Sequence, residues 1–186
     1  MEQDERSPHR YLTEHFQIDK GDVGIDIGAA EGIFALQVIE DVEHIYLVEA
    51  DADWCEALAV TFGGEQEKVT IIKGYVSDTD QGLNISLDKA FENQKIDFIK
   101  MDIEGAEIKA LYGAKQLIQS CGPKMAVCVY HYAEDEKAVR DWMETIGGYR
   151  VCNSPGYVVC QGPWELENIN SADFRRALLW AERDSK

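Results

Sequence analysis

The stretch that most constrains the fold of this chain is Val23–Gly32. A short apolar run rich in β-branched residues reaches an acid, a turn of glycine and alanine follows, and residues 33–39 have the composition of a helix. A strand, a tight turn and a helix in that order form the first unit of a doubly wound α/β sheet. Gly28 and Gly32 let the backbone turn sharply and approach a ligand closely, and the helix presents free N–H groups. The stretch therefore predicts a site for a nucleotide-like cofactor.

The residues around this turn favour one class of cofactor. A dinucleotide fingerprint, Gly-x-Gly-x-x-Gly, holds a pyrophosphate at the helix N-terminus, but Ala30 replaces its middle glycine. Asp26 and Glu31 add negative charge, which suits a cationic ligand such as S-adenosylmethionine, with its ammonium and sulfonium groups. Glu49 follows about 20 residues later at the end of the next predicted strand, where a carboxylate can accept ribose hydroxyls. The alternative is an ordinary strand–turn–helix unit without a ligand.

The overall charge narrows the class of partner. The chain has 186 residues, with 35 Asp and Glu against 18 Lys and Arg, and a formal net charge of -17. This excess of acid argues against a surface that follows nucleic-acid phosphates and against an anionic membrane. No apolar run reaches the roughly 18 residues of a spanning helix, and the N-terminus has no signal-peptide pattern. The five cysteines are scattered without a C-x-x-C pair, so we expect a cytoplasmic protein with reduced thiols and no zinc site.

Strand and helix patterns alternate along the chain and predict one domain over residues 1–186. After the first turn, further strands are predicted at residues 44–48, 69–73, 96–101, 125–130 and 177–180. A hairpin or bent strand is predicted over residues 149–152 and 157–160. The predicted helices cover residues 11–16, 33–39, 51–62, 87–92, 104–118 and 134–146. Residues 1–10 are polar and expected to fray. The fold class is thus a Rossmann-like, doubly wound, mostly parallel sheet with helices on both faces.

In such a sheet, ligands bind at the carboxyl ends of the strands, near the point where the strand order reverses. Acids, aromatic residues and one histidine follow the predicted strands and are expected to meet at one edge of the sheet. They lie in the segments 26–32, 49–51, 74–77, 102–105 and 130–132.

One of these segments resembles a known family. Residues 96–107 resemble the hallmark segment of the FkbM family of class I S-adenosylmethionine-dependent methyltransferases, and residues 26–32 match the D-x-G-A-x-x-G turn that the family pairs with it. Three shorter segments are also similar to the family pattern: residues 48–51, 76–78 and 126–131. The resemblance covers about residues 17–145, and it departs from the family at positions 30–31, where relatives often have a small polar residue.

The resemblance implies a seven-stranded sheet with an antiparallel last strand, and S-adenosylmethionine as the cofactor. Asp26, Gly28 and their neighbours would hold the methionine part, Glu49 the ribose, and Tyr75 and Val76 would flank the adenine. The full set of expected cofactor contacts is Asp26, Gly28, Ala29, Ala30, Glu31, Gly32, Glu49, Ala50, Asp51, Tyr75, Val76, Ser77 and Asp102.

His131 and Glu104 are the candidate catalytic residues. His131 follows a predicted strand, where it is placed to take the proton of an acceptor hydroxyl, and a core histidine that bonds the backbone is an equal alternative. Glu104 is expected either to face the acceptor or to complement the dipole of the following helix, and Glu107 is interpreted as structural. A cation site would need three acids whose spacing the sequence does not fix, Asp78, Asp102 and Glu104, so no metal is expected.

The function predicted from these features is a cytoplasmic O-methyltransferase of the FkbM type. Its acceptor would be a hydroxyl on a small metabolite, sugar or natural product, and residues 161–174 are the candidate lid over that acceptor. Three alternatives stay open: N-methylation of an amide or amine on a peptide or metabolite, a non-catalytic binding module on a methyltransferase fold, and a nicotinamide-dependent oxidoreductase, which the missing glycine disfavours.

Overall fold

The computed structural model describes residue 4, residues 6–160 and residues 173–184 of the chain. In that part of the chain the strands are β1 (Val23–Ile27), β2 (His44–Glu49), β3 (Val69–Lys73), β4 (Tyr75–Val76), β5 (Asn84–Ile85), β6 (Phe98–Met101), β7 (Lys124–Cys128), β8 (Tyr149–Asn153), β9 (Val158–Val159), β10 (Phe174–Arg175) and β11 (Leu178–Arg183). The helices are α1 (Ile33–Val38), α2 (Ala52–Thr61), α3 (Leu87–Ala90), α4 (Glu107–Tyr112), α5 (Lys115–Cys121) and α6 (Asp135–Ile146).

Seven of these strands form one sheet in the order β3-β2-β1-β6-β7-β11-β8. The first five strands in this order, β3-β2-β1-β6-β7, are parallel, and β11 runs antiparallel to both of its neighbours. This confirms the predicted seven-stranded, mostly parallel sheet with an antiparallel last strand. The strand order reverses between β1 and β6, so the carboxyl ends of these two strands flank the cleft in which a ligand is expected.

Both faces of the sheet are covered by apolar layers. All four residues of β6 are buried, as expected of a strand packed on both sides. Phe98 stacks against Phe34 and contacts Phe16 on one face of the sheet. Lys100, two residues further along the strand, points to the same face and is buried with it. A buried ammonium needs a partner, and its partner lies in the candidate site described below.

The helix predicted over residues 104–118 differs from the structure at its start and in its middle. Glu104 and Gly105 have φ angles of 57° and 91°, so the helical backbone begins only at α4. The helix is then interrupted at Gly113, between α4 and α5. An added Cβ at this residue would lie 2.0 Å from the carbonyl oxygen of Ser77. Asp88 accepts a hydrogen bond from the N–H of Leu117 at 2.8 Å and orients the second helix.

The N-terminal segment also differs from its prediction. Residues 11–16, predicted as a short helix, are not helical; they contain a turn in which an isolated bridge joins Thr13 to Phe16. His9 lies in the segment that was expected to fray, but it is buried, and its ring packs against Tyr11 and Tyr130. Aromatic side chains bury a large area each, and this gain outweighs the polar composition of residues 1–10.

The segment predicted as a hairpin or bent strand over residues 149–160 forms two separate strands. The first, β8, joins the main sheet beside β11, and the second, β9, pairs with β10. Most of the predicted acceptor lid, residues 161–172, lies outside the described residues. Within the described part of the chain, none of the helices has both the length and the apolar composition needed to cross a membrane.

Candidate active site

A cavity of about 320 Å³ opens at the carboxyl edge of the sheet, beside the point where the strand order reverses. This volume lies within the range typical of small-molecule sites. The cavity is lined by Ile27, Gly28, Ala30, Val48, Glu49, Ala50, Trp54, Gly74, Tyr75, Val76, Asp102, Ile103, Glu104 and Ala106. The lining therefore comes from the segments that follow β1, β2, β3 and β6, as the topology predicts.

The turn after β1 is shaped by close backbone approach. Gly28 has a φ of 74°, and an added Cβ would lie 1.9 Å from the carbonyl oxygen of Asp102. Gly32 has a φ of 79°, and an added Cβ would lie 2.8 Å from both Leu58 and Phe62. Ala30, between the two glycines, also has a positive φ, 44°, which is uncommon for a residue with a side chain. The two glycines thus let the turn fit tightly between the end of β6 and α2.

Glu49 organises the side of the cavity opposite β6. Its Oε2 accepts a hydrogen bond from the N–H of Ala30 at 2.9 Å. Its Oε1 accepts from the N–H groups of Ala50 and Asp51 at 2.7 and 2.8 Å. A carboxylate offers about four acceptor positions, so three backbone bonds leave one position for a ligand. Glu49 therefore holds the turn after β1 against the end of β2 while it lines the cavity.

Asp26 and Lys100 form a buried ion pair beneath the turn. The Lys100 Nζ lies 2.9 Å from Oδ1 of Asp26 and donates to the Gly28 carbonyl oxygen at 2.6 Å. Burial lowers the pKa of Lys100, but the carboxylates of Asp26 and Asp102 outweigh burial and raise it, so the ammonium stays charged. The negative charge of Asp26 is thus balanced by Lys100, and this pair fixes the turn from below.

Asp102 lines the cavity and receives several polar side chains. The Tyr11 hydroxyl donates to its Oδ2 at 2.7 Å, and the His9 Nε2 lies 3.4 Å from the same oxygen. The Tyr130 hydroxyl donates to Oδ1 at 3.5 Å. Burial raises the pKa of Asp102, but the His9 contact, the charge of Lys100 and the Tyr11 hydroxyl together lower it below its usual range. Asp102 is therefore a carboxylate at neutral pH.

His131 lies beside Asp102, with a carboxylate near each ring nitrogen. Its Nδ1 is 3.2 Å from Oε1 of Glu107, and its Nε2 is 3.5 Å from Oδ1 of Asp102 and 3.6 Å from Oε2 of Glu104. The side chain of His131 is 7% exposed and that of Glu107 is 2% exposed, whereas that of Glu104 is 93% exposed. Burial lowers the pKa of His131, but the three carboxylates, Glu107 first, outweigh it and raise the pKa above its ordinary value.

Two clusters among the described residues have ligand atoms close enough together to hold a metal ion. One consists of Asp102, Glu107 and His131, and the other of His9, Asp102 and Cys128, each with its ligand atoms within 4.8 Å of one another. The carboxylates of the first cluster face opposite sides of the His131 ring, an arrangement that suits an imidazolium ion.

The cavity contains about half of the predicted cofactor contacts. Those that line it are Gly28, Ala30, Glu49, Ala50, Tyr75, Val76 and Asp102, and the predicted catalytic Glu104 lines it too. The remaining predicted contacts, which do not line it, are Asp26, Ala29, Glu31, Gly32, Asp51 and Ser77. Asp51, for example, caps α2 by accepting from the N–H groups of Asp53 and Trp54. His131 adjoins the cavity through Asp102 and Glu104.

Several site residues were not predicted from the sequence. Lys100 interrupts an apolar strand, and a lysine in a strand covered on both faces requires a buried partner; this signal was available. Trp54, in the first turn of α2, lines the cavity, whereas a large aromatic residue at helical spacing is more often part of the core. His9 and Tyr11 reach Asp102 from a segment distant in the sequence, and no local pattern predicts that contact.

The chain is similar to known proteins in sequence and in fold. Residues 70–151 match the sequence model of the methyltransferase FkbM domain. The fold is similar to that of methyltransferase FkbM from Methylobacillus flagellatus KT, with a TM-score of 0.73 and 20% identity, over 94% of this chain and 50% of that one. This chain thus spans half the length of that protein. None of the curated proteins matches this chain in sequence.

Two further solved structures share the fold at lower similarity. SMU.1697c from Streptococcus mutans, in complex with SAH, has a TM-score of 0.58 and 13% identity, over 90% of this chain and 91% of that one. An rRNA methylase from Streptococcus thermophilus has a TM-score of 0.56 and 12% identity, over 90% of each chain. The predicted resemblance is confirmed: residues 70–151 match the model of the methyltransferase FkbM domain, and the fold is similar to that of an FkbM methyltransferase.

Proposed function

We propose that this protein transfers a methyl group from S-adenosylmethionine to a hydroxyl group of a small metabolite, sugar or natural product. We propose further that it acts in the cytoplasm and that residues 1–186 form one methyltransferase domain. The observation that carries the proposal is the cavity at the reversal of strand order, where Glu49 lies on one side and Asp102 and Glu104 lie on the other. His131 adjoins the second side, so a cofactor pocket and a titratable group meet at one edge of the sheet.

The residues of the cavity suit the parts of S-adenosylmethionine. The remaining acceptor position of Glu49 would bind a ribose hydroxyl, and Trp54 and Tyr75 offer aromatic surface to the adenine. The Gly28 turn and Asp102 would hold the methionine part. The pocket has apolar walls and several convergent polar groups, a combination typical of cofactor sites.

When bound, S-adenosylmethionine supplies a methyl group on a positively charged sulfur. His131 would take the proton of the acceptor hydroxyl at Nε2 as the oxygen–carbon bond forms and the sulfur–carbon bond breaks, which leaves S-adenosylhomocysteine and the methyl ether. Glu104, exposed beside Nε2, would orient the acceptor. Most of the rate enhancement would come from alignment of the oxygen, the methyl carbon and the sulfur.

The charge of the chain supports a small acceptor. With a net charge of -17, the protein lacks the excess of Lys and Arg that binding of nucleic-acid phosphates requires. The similarity to an rRNA methylase is 12% in sequence and concerns the fold, which hosts many acceptors. A small hydroxyl compound is therefore favoured over RNA.

The cofactor is tested by calorimetry. We expect S-adenosylmethionine and S-adenosylhomocysteine to bind at one site per chain, and NADH to show no heat of binding. Tight binding of NADH without a response to either sulfur compound would overturn the proposal in favour of an oxidoreductase.

The acceptor is tested with S-adenosylmethionine labelled in the methyl group, a fractionated metabolite extract and a separate RNA fraction. We expect label in a small product that has a methyl ether by NMR. A methylamine or methylamide in the product would show N-methylation instead. Label in the RNA fraction would contradict the small-molecule acceptor, and the absence of label in all fractions would favour a binding module.

A further inference from the structure

We propose that Glu107 is a positioning residue for His131, whose Nδ1 proton it holds so that Nε2 faces the acceptor. This inference rests on the proposed function and extends it, because Glu107 was interpreted from the sequence as a structural residue at a helix start. The geometry of the two side chains, their burial and an unsatisfied oxygen carry the argument.

The first step is the position of the Glu107 carboxylate. It is 2% exposed, and Oε1 accepts a hydrogen bond from the N–H of Ile103 at 2.9 Å. Within the described residues, Oε2 of Glu107 is buried without a hydrogen-bond partner. A buried charge with one oxygen unsatisfied is costly unless a cation lies close by. The cation within reach is the His131 ring, with Nδ1 3.2 Å from Oε1.

The second step is the orientation of the ring. Because Nδ1 faces Glu107, the opposite nitrogen, Nε2, faces Asp102 and Glu104, both of which line the cavity. Neither ring nitrogen makes a hydrogen bond of ordinary geometry with the described part of the chain. Hydrogen bonds of catalytic groups are often long before a ligand binds and tighten in the complex. A carboxylate that holds one nitrogen of an imidazole fixes its tautomer and stabilises its protonated form.

The third step is the set of charges around His131. Three carboxylates face the ring from the loop after β6 and from α4, and a fourth acts on it from α6: Asp102, Glu104, Glu107 and Asp135. The ring of Tyr130 lies 4.2 Å away between centroids, and the guanidinium of Arg175 bonds the His131 carbonyl oxygen. Of the three carboxylates within 3.6 Å, Glu107 is the closest and most buried, so its charge acts on the ring with the least screening.

The test is an NMR titration of the four histidines in the wild type, Glu107→Gln and Glu104→Gln. Glutamine keeps the shape of Glu107 and an oxygen for the Ile103 N–H, so only the charge is lost. We expect the pKa of His131 to fall by about 1–3 units in Glu107→Gln. Glu104→Gln, the matched control, removes the same charge from an exposed position and should shift it clearly less. Equal shifts, or no shift in Glu107→Gln, would overturn the proposal.

This titration needs no acceptor and no cofactor, so it fails independently of the proposed function. It is run with and without EDTA, because a His131 signal that EDTA alters would show a bound metal and overturn the pairing with Glu107. If Glu107→Gln does not fold, Glu107→Asp keeps the charge but withdraws it by one methylene. The His131 pKa should then fall, but by less than is expected when the whole Glu107 charge is lost. An unchanged pKa would contradict the proposal.

Once an acceptor is known, the pH dependence of the rate gives a second readout. Loss of the Glu107 charge should move the acidic limb of kcat to lower pH and lower its plateau, since His131 would lose its proton more readily but become a weaker base. A structural role alone would lower the rate at every pH without moving the limb.

Discussion

Single side chains in this protein serve the fold and the candidate site together. Glu49 is the clearest case, because its carboxylate accepts from three backbone N–H groups and also lines the cavity. Asp102 likewise lines the cavity and accepts from Tyr11. Substitutions at such positions change stability and binding at once.

We expect Glu49→Ala to weaken S-adenosylhomocysteine binding by roughly 1.5–3 kcal/mol, because the hydrogen bond from a ribose hydroxyl to a charged group is lost. It should also lower the free energy of unfolding, since the N–H groups of the turn lose their acceptor. Glu49→Gln retains an acceptor oxygen and should show smaller losses of both quantities. Calorimetry and urea unfolding measure them, and wild-type affinity in a folded Glu49→Ala protein would refute the assignment.

Gly28→Ala should lower the free energy of unfolding by at least about 3 kcal/mol, because the new Cβ meets a backbone oxygen at 1.9 Å and φ is +74°. The matched control is Gly82→Ala, where φ is +65° and no atom lies within 4 Å of the new Cβ. It bears only the cost of the left-handed backbone, about 1–2 kcal/mol. Urea unfolding compares the two; equal losses would mean that the close approach to Asp102 is relieved.

His131→Ala should leave cofactor affinity unchanged and lower turnover by about 10²–10⁴-fold, as expected for loss of a general base. A base acts in its neutral form, and the carboxylates around His131 raise its pKa. The wild-type rate should therefore fall as the pH drops through a value above the ordinary 6.5 or so. A mutant with the wild-type rate would remove His131 from the mechanism.

At the scale of elements, β6 joins the sheet to the candidate site. Its backbone pairs with β1 and β7, its lysine reaches the turn after β1, and its end continues into the loop of Asp102 and Glu104. Lys100 thus connects two elements through one ammonium, which forms an ion pair with Asp26 and donates a hydrogen bond to the Gly28 carbonyl.

Lys100→Met should lower the free energy of unfolding by about 3–5 kcal/mol, because Asp26 stays buried without its countercharge. The double variant with Asp26→Asn removes both charges and should recover much of that loss. Lys137→Met, which breaks the exposed pair with Asp141 on α6, is the control and should change stability little. Urea unfolding decides, and a wild-type midpoint for Lys100→Met would show that the buried pair adds no net stability.

At the scale of the whole molecule, negative charge concentrates at one edge of an already acidic chain. Asp26, Glu49, Asp102 and Glu107 lie there; in the described residues Asp26 pairs with Lys100, and Asp102 and Glu107 lie beside the rings of His9 and His131. Clustered charge of one sign raises the local concentration of ligands of the other sign. A cofactor with a sulfonium and an ammonium group fits that field.

The cysteines test the state of the whole fold. All five are free thiols, and they range from the buried Cys128 to the exposed Cys152. Burial raises the pKa of the Cys128 thiol, which leaves little reactive thiolate. In a titration with a thiol reagent, Cys152 should react first, Cys128 only after unfolding, and all five in denaturant. Fewer than five thiols in protein made in a reducing cytoplasm would contradict this.

The sequence by itself determined the alternation of strands and helices, the turn between Gly28 and Gly32, and the positions of Glu49 and Asp102 at the sheet edge. These features follow from hydrophobic periodicity and from glycines and acids at strand ends, which are local properties of the chain. For the same reason the helix predicted over residues 51–62 agrees within one residue at each end with α2, which Asp51 caps.

Only the tertiary structure decided which of those residues line the cavity and which serve the fold. The deciding contacts join segments that are distant in the sequence. They are the pair of Asp26 with Lys100, the pair of Glu107 with His131, the approach of His9 and Tyr11 to Asp102, and the close approach of Gly113 to Ser77. Contacts of this kind depend on how the elements pack, to within an ångström. Residue type and spacing alone do not contain that information, because they fix the local backbone and leave the distances between elements to the packed core.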